Sequence, residues 1–232
     1  MANLVFYIAN GEYIKEAQQS AKSLLKAMPD TELCLMTFDK LCQADFDYIF
    51  KLDYLSNVGW YHNSIMAFNR IFEMGYDKYI YLDTDTYICE DFSEVWRWLD
   101  DYDFIATYAP GRATTGTTLD IYYPEIHIGF CAFRSNQAVR FLFSQWLSQY
   151  RDNRAVYRDN DQGALRDVLH TSYDVRLMIL PPEYCFRYKF GGFLSGACKV
   201  LHGREGNLPH IAQLVNSSTK MRTFQKGWYR GV

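Results

Sequence analysis

The chain has 232 residues, 49% of them apolar and 22% charged, so it is long enough and apolar enough to bury a sizeable core. Its formal net charge of −3 is not the strongly basic balance that is typical of a nucleic-acid-binding protein. No apolar stretch approaches the ~20 residues that cross a bilayer, and the first residues lack the basic segment of a signal peptide.

The six cysteines form no C-x-x-C pair, and several of them lie inside apolar runs, as reduced core thiols do. This pattern favours a reducing compartment, so the sequence predicts a cytoplasmic location.

The apolar runs in the first half of the chain predict an alternation of strands and helices. Residues 3–9 are β-branched and aromatic, apolar groups follow at helical spacing over 12–28, and residues 32–38 form a second apolar run. This strand–helix–strand opening predicts a parallel sheet with a right-handed crossover. The next predicted elements are a short apolar segment near 48–52, a helix over 62–75, a strand over 78–88, a helix over 91–99 with Asp91 as its N-cap, and a strand over 103–108.

The second half begins with a Gly- and Thr-rich stretch at 109–124, which we expect to be a mobile loop over the site. The predicted elements after it are a strand over 128–133, helices over 136–150 and 161–169, a strand over 175–181 and a strand-like piece at 199–203. Residues 208–232 carry several basic side chains and little periodicity. We therefore predict one α/β domain over 1–207, with a mostly parallel central sheet flanked by helices. A basic C-terminal tail over 208–232 follows, and it either lies on an acidic membrane surface or is disordered.

The triplet Asp83-Thr84-Asp85 directly follows the apolar run at 79–82. Carboxylates at the end of a buried strand are costly unless they are paired or bind a cation. Alternation along a strand directs Asp83 and Asp85 to the same side, and in a parallel sheet that side opens on the ligand crevice. Two such acids suit Mg²⁺ or Mn²⁺, which prefer oxygen ligands and often share them with phosphates. The alternative is a strand-end turn with solvated acids.

Two segments resemble GT-A fold glycosyltransferases, and among these the glycogenin-like and bacterial galactosyltransferase-like members of family 8. YDKYIYLDTDTYICEDFSEVW at 76–96 is similar to their DxD segment, and IANGEYIKEAQQSAKSL at 8–24 is similar to their first strand, loop and helix. The resemblance covers roughly residues 3–204. It implies a Rossmann-like GT-A domain that moves a sugar from a nucleoside-diphosphate sugar, with UDP favoured, to an acceptor hydroxyl on a glycan or glycoconjugate.

The resemblance assigns the nucleoside to the loop after the first strand. It implies that Ala9 and Asn10 hold the nucleoside and that Tyr13 stacks on the base. Stacking of an aromatic ring on a base is worth ~1–3 kcal/mol. The alternative is that Tyr13 packs on the first helix.

The resemblance also implies a divalent cation, Mn²⁺ or Mg²⁺. Asp83 is similar to the acid that reaches both ribose and metal, Asp85 to the main metal ligand, and His202 to a late third ligand. Thr84, between the two acids, is expected to bind the nucleotide sugar with them. The family has a glycine three residues after this histidine and then a Lys-Pro pair, whereas here Gly203 follows at once. Arg204 then takes the place of the lysine, because a guanidinium binds phosphate oxygens bidentately.

Five further positions match the family more loosely. Asp161 and Gln162 resemble the pair beside the donor sugar, although Asp161 is also a plausible cap for the helix that starts there. Gly129 would let the sugar approach the backbone, and His127 stands where the family has an asparagine. Arg70 reaches the diphosphate or sugar, or else lies on a solvated helix face.

The resemblance leaves the stereochemistry open. A retaining reaction, as in family 8, needs no strong base, whereas an inverting one needs a carboxylate that takes the acceptor proton. Asp161 and Glu125 are the candidates for that base.

Three other functions compete with sugar transfer. In a HAD-type phosphatase, Asp83 would be the nucleophile and Asp85 the acid/base, but Tyr87 occupies a position where that motif has Thr or Val, and the motif normally lies in the first strand. A GT-A-shaped protein that binds a nucleotide sugar without turnover is the second. A nucleotidyltransferase is the third, and it would need a Gly-rich basic loop near residue 10.

Overall fold

The computed structural model describes residues 2–55, 57–108, 119, 126–157 and 160–231. In this part the strands are β1 (Asn3–Ile8), β2 (Leu33–Thr37), β3 (Tyr48–Lys51), β4 (Lys78–Leu82), β5 (Thr86–Ile88), β6 (Phe104–Tyr108), β7 (Ile126–Arg134), β8 (Leu177–Leu180), β9 (Gly192–Leu194), β10 (Val200–His202) and β11 (Arg222–Phe224). The α-helices in it are α1 (Tyr13–Ala27), α2 (Gly59–Arg70), α3 (Glu94–Trp98), α4 (Gln137–Asp152), α5 (Arg154–Tyr157), α6 (Asp161–Thr171) and α7 (Leu208–Val215). Short 3-10 segments lie at Ile71–Met74, Pro182–Tyr184 and Trp228–Gly231.

The central sheet of the described chain has seven strands in the order β3-β2-β1-β4-β7-β6-β8. The pairs β3/β2, β2/β1, β1/β4 and β6/β8 are parallel, and β7 is antiparallel to both β4 and β6. The predicted α/β class with a mostly parallel central sheet is therefore confirmed, and the architecture is consistent with a GT-A type fold.

Helices cover both faces of this sheet because its central strands are apolar on both sides. Along β1, Leu4 and Phe6 join the core cluster under α2, α4 and α6, whereas Val5 and Tyr7 join the cluster under α1 and α3. A strand that is buried on both faces has apolar residues at every position, as parallel strands between two helix layers do.

Several boundaries differ from the prediction, and two of these differences have a clear local cause. The strand predicted over 78–88 is divided, because the chain turns away between β4 and β5 at the two acids. Helix α3 begins at Glu94 rather than at 91: Asp91 accepts a hydrogen bond from the backbone N–H of Ser93 (2.5 Å), and Ser93 occupies the N-cap position.

Residues 208–231 carry helix α7 and strand β11, neither of which the sequence pattern predicts. Buried side chains of α7, such as Ile211 and Val215, share one hydrophobic cluster with Phe186 and Leu194 from before position 207. Strand β11 pairs with β9. The division of the chain at 207 stays a prediction, and these contacts connect its two sides.

None of the helices in the described ranges is both long and apolar enough to cross a membrane.

Asp103 ties three elements of the sheet region together just before β6. Its carboxylate accepts hydrogen bonds from the backbone N–H of Arg176 (3.0 Å), from the Arg176 guanidinium (3.0 and 3.1 Å) and from the Asn136 amide (2.7 Å). The hydrogen bonds from Arg176 and Asn136 outweigh the effect of burial and lower the pKa of Asp103 below its ordinary 3.8.

We expect Asp103→Asn to lower the free energy of unfolding by about 2 kcal/mol at pH 7, because charge-assisted hydrogen bonds are replaced by weaker ones. Since the folded-state pKa is depressed, the carboxylate stabilises the fold above pH 3.8, and this contribution is lost as the pH falls further. Urea unfolding at pH 7 and at pH 3 measures both effects. The exposed Asp101→Asn is the control, and equal losses in the two variants would contradict the assignment.

Candidate functional site

The side chains of Asp83, Asp85 and His202 converge at one edge of the sheet. The Nε2 atom of His202 lies 3.3 Å from Asp83 Oδ2 and 3.1 Å from Asp85 Oδ1. The ligand atoms of the three residues lie within 4.8 Å of one another. Two carboxylates and an imidazole that are distant in sequence thus form one compact donor group.

Strand pairing explains how this group assembles. Strand β4 delivers Asp83 at its carboxyl end, where the Asp83 N–H donates to Gly129 O of β7 (2.9 Å). Strand β5, which follows Asp85, pairs antiparallel with β10, and this pairing sets His202 opposite Thr86. The Gly203 N–H then donates to Asp85 O (2.9 Å). Backbone hydrogen bonds therefore hold all three side chains in place.

The charged forms of the imidazole and the carboxylates in this group stabilise one another. Burial alone would lower the pKa of His202, but the neighbouring Cys185 and hydrogen bonds to Asp83 and Asp85 raise it well above its ordinary range. Burial alone would raise the pKa of Asp85, but the hydrogen bond and charge of His202 and the charge of Arg204 lower it. Without a ligand, the imidazole therefore supplies the positive charge that the two carboxylates require.

A divalent cation fits this donor set. Carboxylate oxygens suit Mg²⁺ and Mn²⁺, and an imidazole nitrogen adds a ligand that first-row transition metals accept. The site keeps an open side, because the Asp83 side chain is 31% exposed whereas those of Asp85 and His202 are more deeply buried. An octahedral ion held by these three residues would keep positions for further oxygen ligands.

Arg204 lies between this group and the start of α1. Its Nε donates to both carboxylate oxygens of Glu16 (3.0 and 3.1 Å), and its Cζ lies 5.0 Å from the ring centroid of Tyr13. Its Nη1 lies 3.9 Å from Asp85 Oδ2. Glu16 also accepts a hydrogen bond from the Thr84 hydroxyl (2.8 Å). A guanidinium is thus held within reach of any phosphate that binds beside Asp85.

A cavity of about 390 Å³ opens at this place, and its lining includes Lys22, Thr84, Asp85 and Arg204. Glu16 lines it as well, so the charges of Lys22 and Arg204 are balanced by those of Glu16 and Asp85. Lys22 and Arg204 are the groups in this lining that can bind a phosphate oxygen.

The residues predicted to hold a nucleoside lie at the end of β1, which is the parallel neighbour of β4. Ala9 is buried and its N–H donates to Met36 O (3.0 Å), and the Asn10 side chain accepts from the Thr37 hydroxyl (3.3 Å). Tyr13 is 42% exposed and presents its ring beside Arg204. The ring of Tyr13 is therefore accessible to a planar ligand.

His127 and Gly129 lie on β7 directly behind the acids. His127 is buried, and its Nδ1 accepts a hydrogen bond from the Gly129 N–H (3.1 Å). Burial and the charges of His202 and Arg187 hold the pKa of His127 well below its ordinary value, so the ring is neutral. A Cβ atom on Gly129 would lie 2.4 Å from His127 Cε1 and 2.8 Å from Asp83 Oδ2. Close packing of the acid on the strand thus requires glycine here.

Asp161 opens helix α6, but Asn160 caps it, with its side chain accepting from the Gln162 N–H (3.0 Å). Gln162 therefore lies in the first turn next to Asp161. Burial and the charge of Asp83 raise the pKa of Asp161 to about 7. Asp161 therefore lies close enough to the site for the charge of Asp83 to affect its ionisation.

Arg70 is not brought to this group. It forms an ion pair with Glu73, and its guanidinium lies 5.9 Å from the centroid of Phe50 on the edge strand β3. Glu125 and the loop predicted at 109–124, apart from residue 119, lie outside the described residues.

Three residues of the site were not singled out from the sequence. Tyr81 is two positions before Asp83 on the strand and donates to Asp83 Oδ1 (2.7 Å). Glu16 lies one helical turn after Tyr13 on α1, so helical spacing could have indicated it. Cys185 contacts His202 from a segment that carries no motif.

We expect Gly129→Ala to displace Asp83 and His127, because the added methyl group has no room between them. Overpacking of this kind costs about 1–3 kcal/mol. The thermal melting temperature and the affinity for Mn²⁺ should both fall. Gly196→Ala is the matched control, since the nearest atom to its Cβ is 4.0 Å away. Unchanged Mn²⁺ binding in Gly129→Ala would contradict the prediction.

We expect Asp161→Asn to stabilise the metal-free protein at pH 8. The folded-state pKa of about 7 exceeds the ordinary 3.8, so ionised Asp161 destabilises the fold, and stability falls as the pH rises from about 4 to 7. A gain of 1 kcal/mol corresponds to a melting temperature higher by about 2–4 °C, and it should shrink towards zero at pH 4. Thermal unfolding in the presence of a chelator measures this, with the exposed Asp30→Asn as control. A gain that does not depend on pH would contradict it.

A comparison of the sequence with known protein families agrees with this geometry. No curated protein matches the chain. Residues 19–222, which contain the three converging side chains, match the family described as nucleotide-diphospho-sugar transferase. The match spans well over half of the chain, and it agrees with the sheet order and with the place of the acidic triplet at a strand end. The chain therefore belongs to the nucleotide-diphospho-sugar transferase family.

Proposed function

We propose that this chain is a metal-dependent glycosyltransferase of the family 8 type, which moves a hexosyl group from a UDP-sugar to an acceptor hydroxyl of a glycan or glycoconjugate. Membership of the family implies a nucleotide-sugar donor and an acceptor. The observation that carries the finer proposal is the convergence of Asp83, Asp85 and His202 beside the guanidinium of Arg204.

In this proposal, Asp83, Asp85 and His202 hold Mn²⁺ or Mg²⁺. The cation would act as a Lewis acid that stabilises the negative charge of the leaving diphosphate. Arg204 adds a fixed positive charge on the same side, and Glu16 keeps its guanidinium in place. The residues around the acids therefore stabilise a dianionic leaving group rather than a nucleophile.

The nucleoside lies against the end of β1, with the base on the ring of Tyr13 and the loop of Ala9 and Asn10 beside it. The exposure of this ring and its position next to Arg204 support this placement. The base and the diphosphate would then contact adjacent residues, as one extended ligand requires.

The sugar and acceptor lie on the side of Asp161 and Gln162. Asp161 is in the field of Asp83 and has a raised pKa, which is the property of a carboxyl group that can exchange a proton near neutral pH. The sugar contact predicted for Gly129 receives less support, because the His127 and Asp83 side chains already lie where a side chain of residue 129 would be. Roles for His127 and Arg70 in sugar binding receive less support, because His127 is buried behind the acids and Arg70 pairs with Glu73.

Membership of the family favours sugar transfer over the phosphatase and nucleotidyltransferase alternatives. The cytoplasmic location and the membrane contact of residues 208–232 stay predictions.

The proposal is tested by thermal unfolding with a panel of nucleotide sugars, with and without Mn²⁺. We expect UDP-sugars to raise the melting temperature by roughly 5–10 °C at 100-fold excess over Kd, and only when the metal is present. Asp85→Ala should lose this shift, because it removes a metal ligand. Asp101→Ala, an exposed acid outside the site, should keep it.

Equal shifts in wild type and Asp85→Ala would contradict the metal site. Turnover is measured by release of UDP from a UDP-sugar in the presence of glycan acceptors, with phosphate release from a phosphomonoester as the comparison. Metal-dependent binding without transfer to any acceptor would instead support a non-catalytic binding protein.

A further inference from the structure

His202 has a second buried contact on the side away from the acids. Its Nδ1 lies 3.6 Å from Cys185 Sγ, and the same sulfur lies 3.5 Å from His127 Nδ1. The two imidazole rings are 4.8 Å apart between centroids. All three side chains are buried, with 2% exposure for Cys185 and 8% for each histidine. A single thiol therefore bridges the two rings in the interior.

The direction of the hydrogen bonds in this bridge can be assigned by starting from His127. The Gly129 N–H can only donate, and it points to His127 Nδ1 (3.1 Å), so that nitrogen carries a lone pair and not a proton. Because His127 Nδ1 has no hydrogen, it cannot donate to the sulfur, so its lone pair is shared between the Gly129 N–H and the S–H of Cys185. The sulfur lone pairs are then left to accept a hydrogen bond from His202 Nδ1–H.

This assignment of hydrogen-bond donors and acceptors determines which nitrogen of His202 is available to a cation. If Nδ1 keeps its hydrogen for the sulfur, Nε2 is the nitrogen that can offer a lone pair, and Nε2 is the atom that faces Asp83 and Asp85. A histidine that binds a metal commonly donates its other N–H to a partner that fixes the ring and its tautomer.

The backbone places the thiol for this role. Phe186, the residue after Cys185, forms a bridge with Leu201, and its carbonyl accepts the N–H of His202 (2.9 Å). The segment that carries Cys185 is therefore fixed directly to strand β10, which carries His202.

We propose that Cys185 is a positioning residue, which orients His202 and fixes its tautomer so that Nε2 can bind the divalent cation. The proposal rests on the metal site of the proposed function. Cys185 itself touches neither the cation nor the substrate, and it acts only through His202.

The test is the affinity of the full chain for Mn²⁺, measured without nucleotide by electron paramagnetic resonance of the free ion. We expect Cys185→Ala to weaken binding about 10–100-fold, which is the usual effect of removing a partner of a metal ligand. Cys185→Ser should recover at least part of the affinity, because its hydroxyl can donate to one ring and accept from the other. Cys34→Ala removes a buried thiol from β2 and should bind Mn²⁺ like wild type.

The outcomes separate this proposal from the proposed function. If Asp85→Ala abolishes Mn²⁺ binding but Cys185→Ala binds like wild type, the positioning role is overturned and the metal site stands. Equal weakening in Cys185→Ala and Cys34→Ala also overturns it, since that would reflect a general loss of stability. Wild type that binds no Mn²⁺ overturns both proposals.

Discussion

The contact between His202 and the two carboxylates is the interaction on which the rest of the site depends. Asp83 and Asp85 leave a buried strand, where ionised groups are costly without a compensating charge. The imidazole Nε2 supplies that compensation at 3.3 and 3.1 Å. To reach this point, β10 must pair with β5, and β7 must run antiparallel beside β4 so that Gly129 accepts the N–H of Asp83. The local topology is thus the one that brings opposite charges together.

The same arrangement suits a ligand that carries its own charges. A cation can replace the imidazole as the positive charge between the two carboxylates. A diphosphate can bind the guanidinium of Arg204, which Glu16 holds in position. In the proposed function, the site would be preorganised for a cation with an anion, because protein contacts already hold the carboxylates and the guanidinium in position. Preorganised charges of this kind need little rearrangement when the ligand arrives.

Hydrophobic pattern was enough to predict the main sheet, since apolar runs such as 3–9 and 32–38 are long and bounded by turn residues. It also placed Asp83 and Asp85 on one side of a strand end. Hydrophobic pattern alone could not place His202, which meets Asp85 across 117 residues and was predicted only from the family resemblance. Cys185, which contacts His202 rather than the acids, was not predicted. Helix α7 was missed although Asn207 caps it and Pro209 lies in its first turn, because its eight residues are too few for a clear period. For Arg70 the resemblance left open a ligand contact or a solvated helix face, and it does not show which partner the arginine selects; in the structure Arg70 pairs with the half-exposed Glu73.

The pairing of β5 with β10 has a consequence for how the protein is made. All seven strands of the main sheet have been synthesised once the ribosome has passed Leu180. His202, the third of the converging side chains, follows only on β10. A nascent chain can therefore form its sheet while the two acids still lack their basic partner. In the proposed function, the chain would bind the nucleotide sugar only once the segment from Cys185 to Gly203 has docked on the turn after β4.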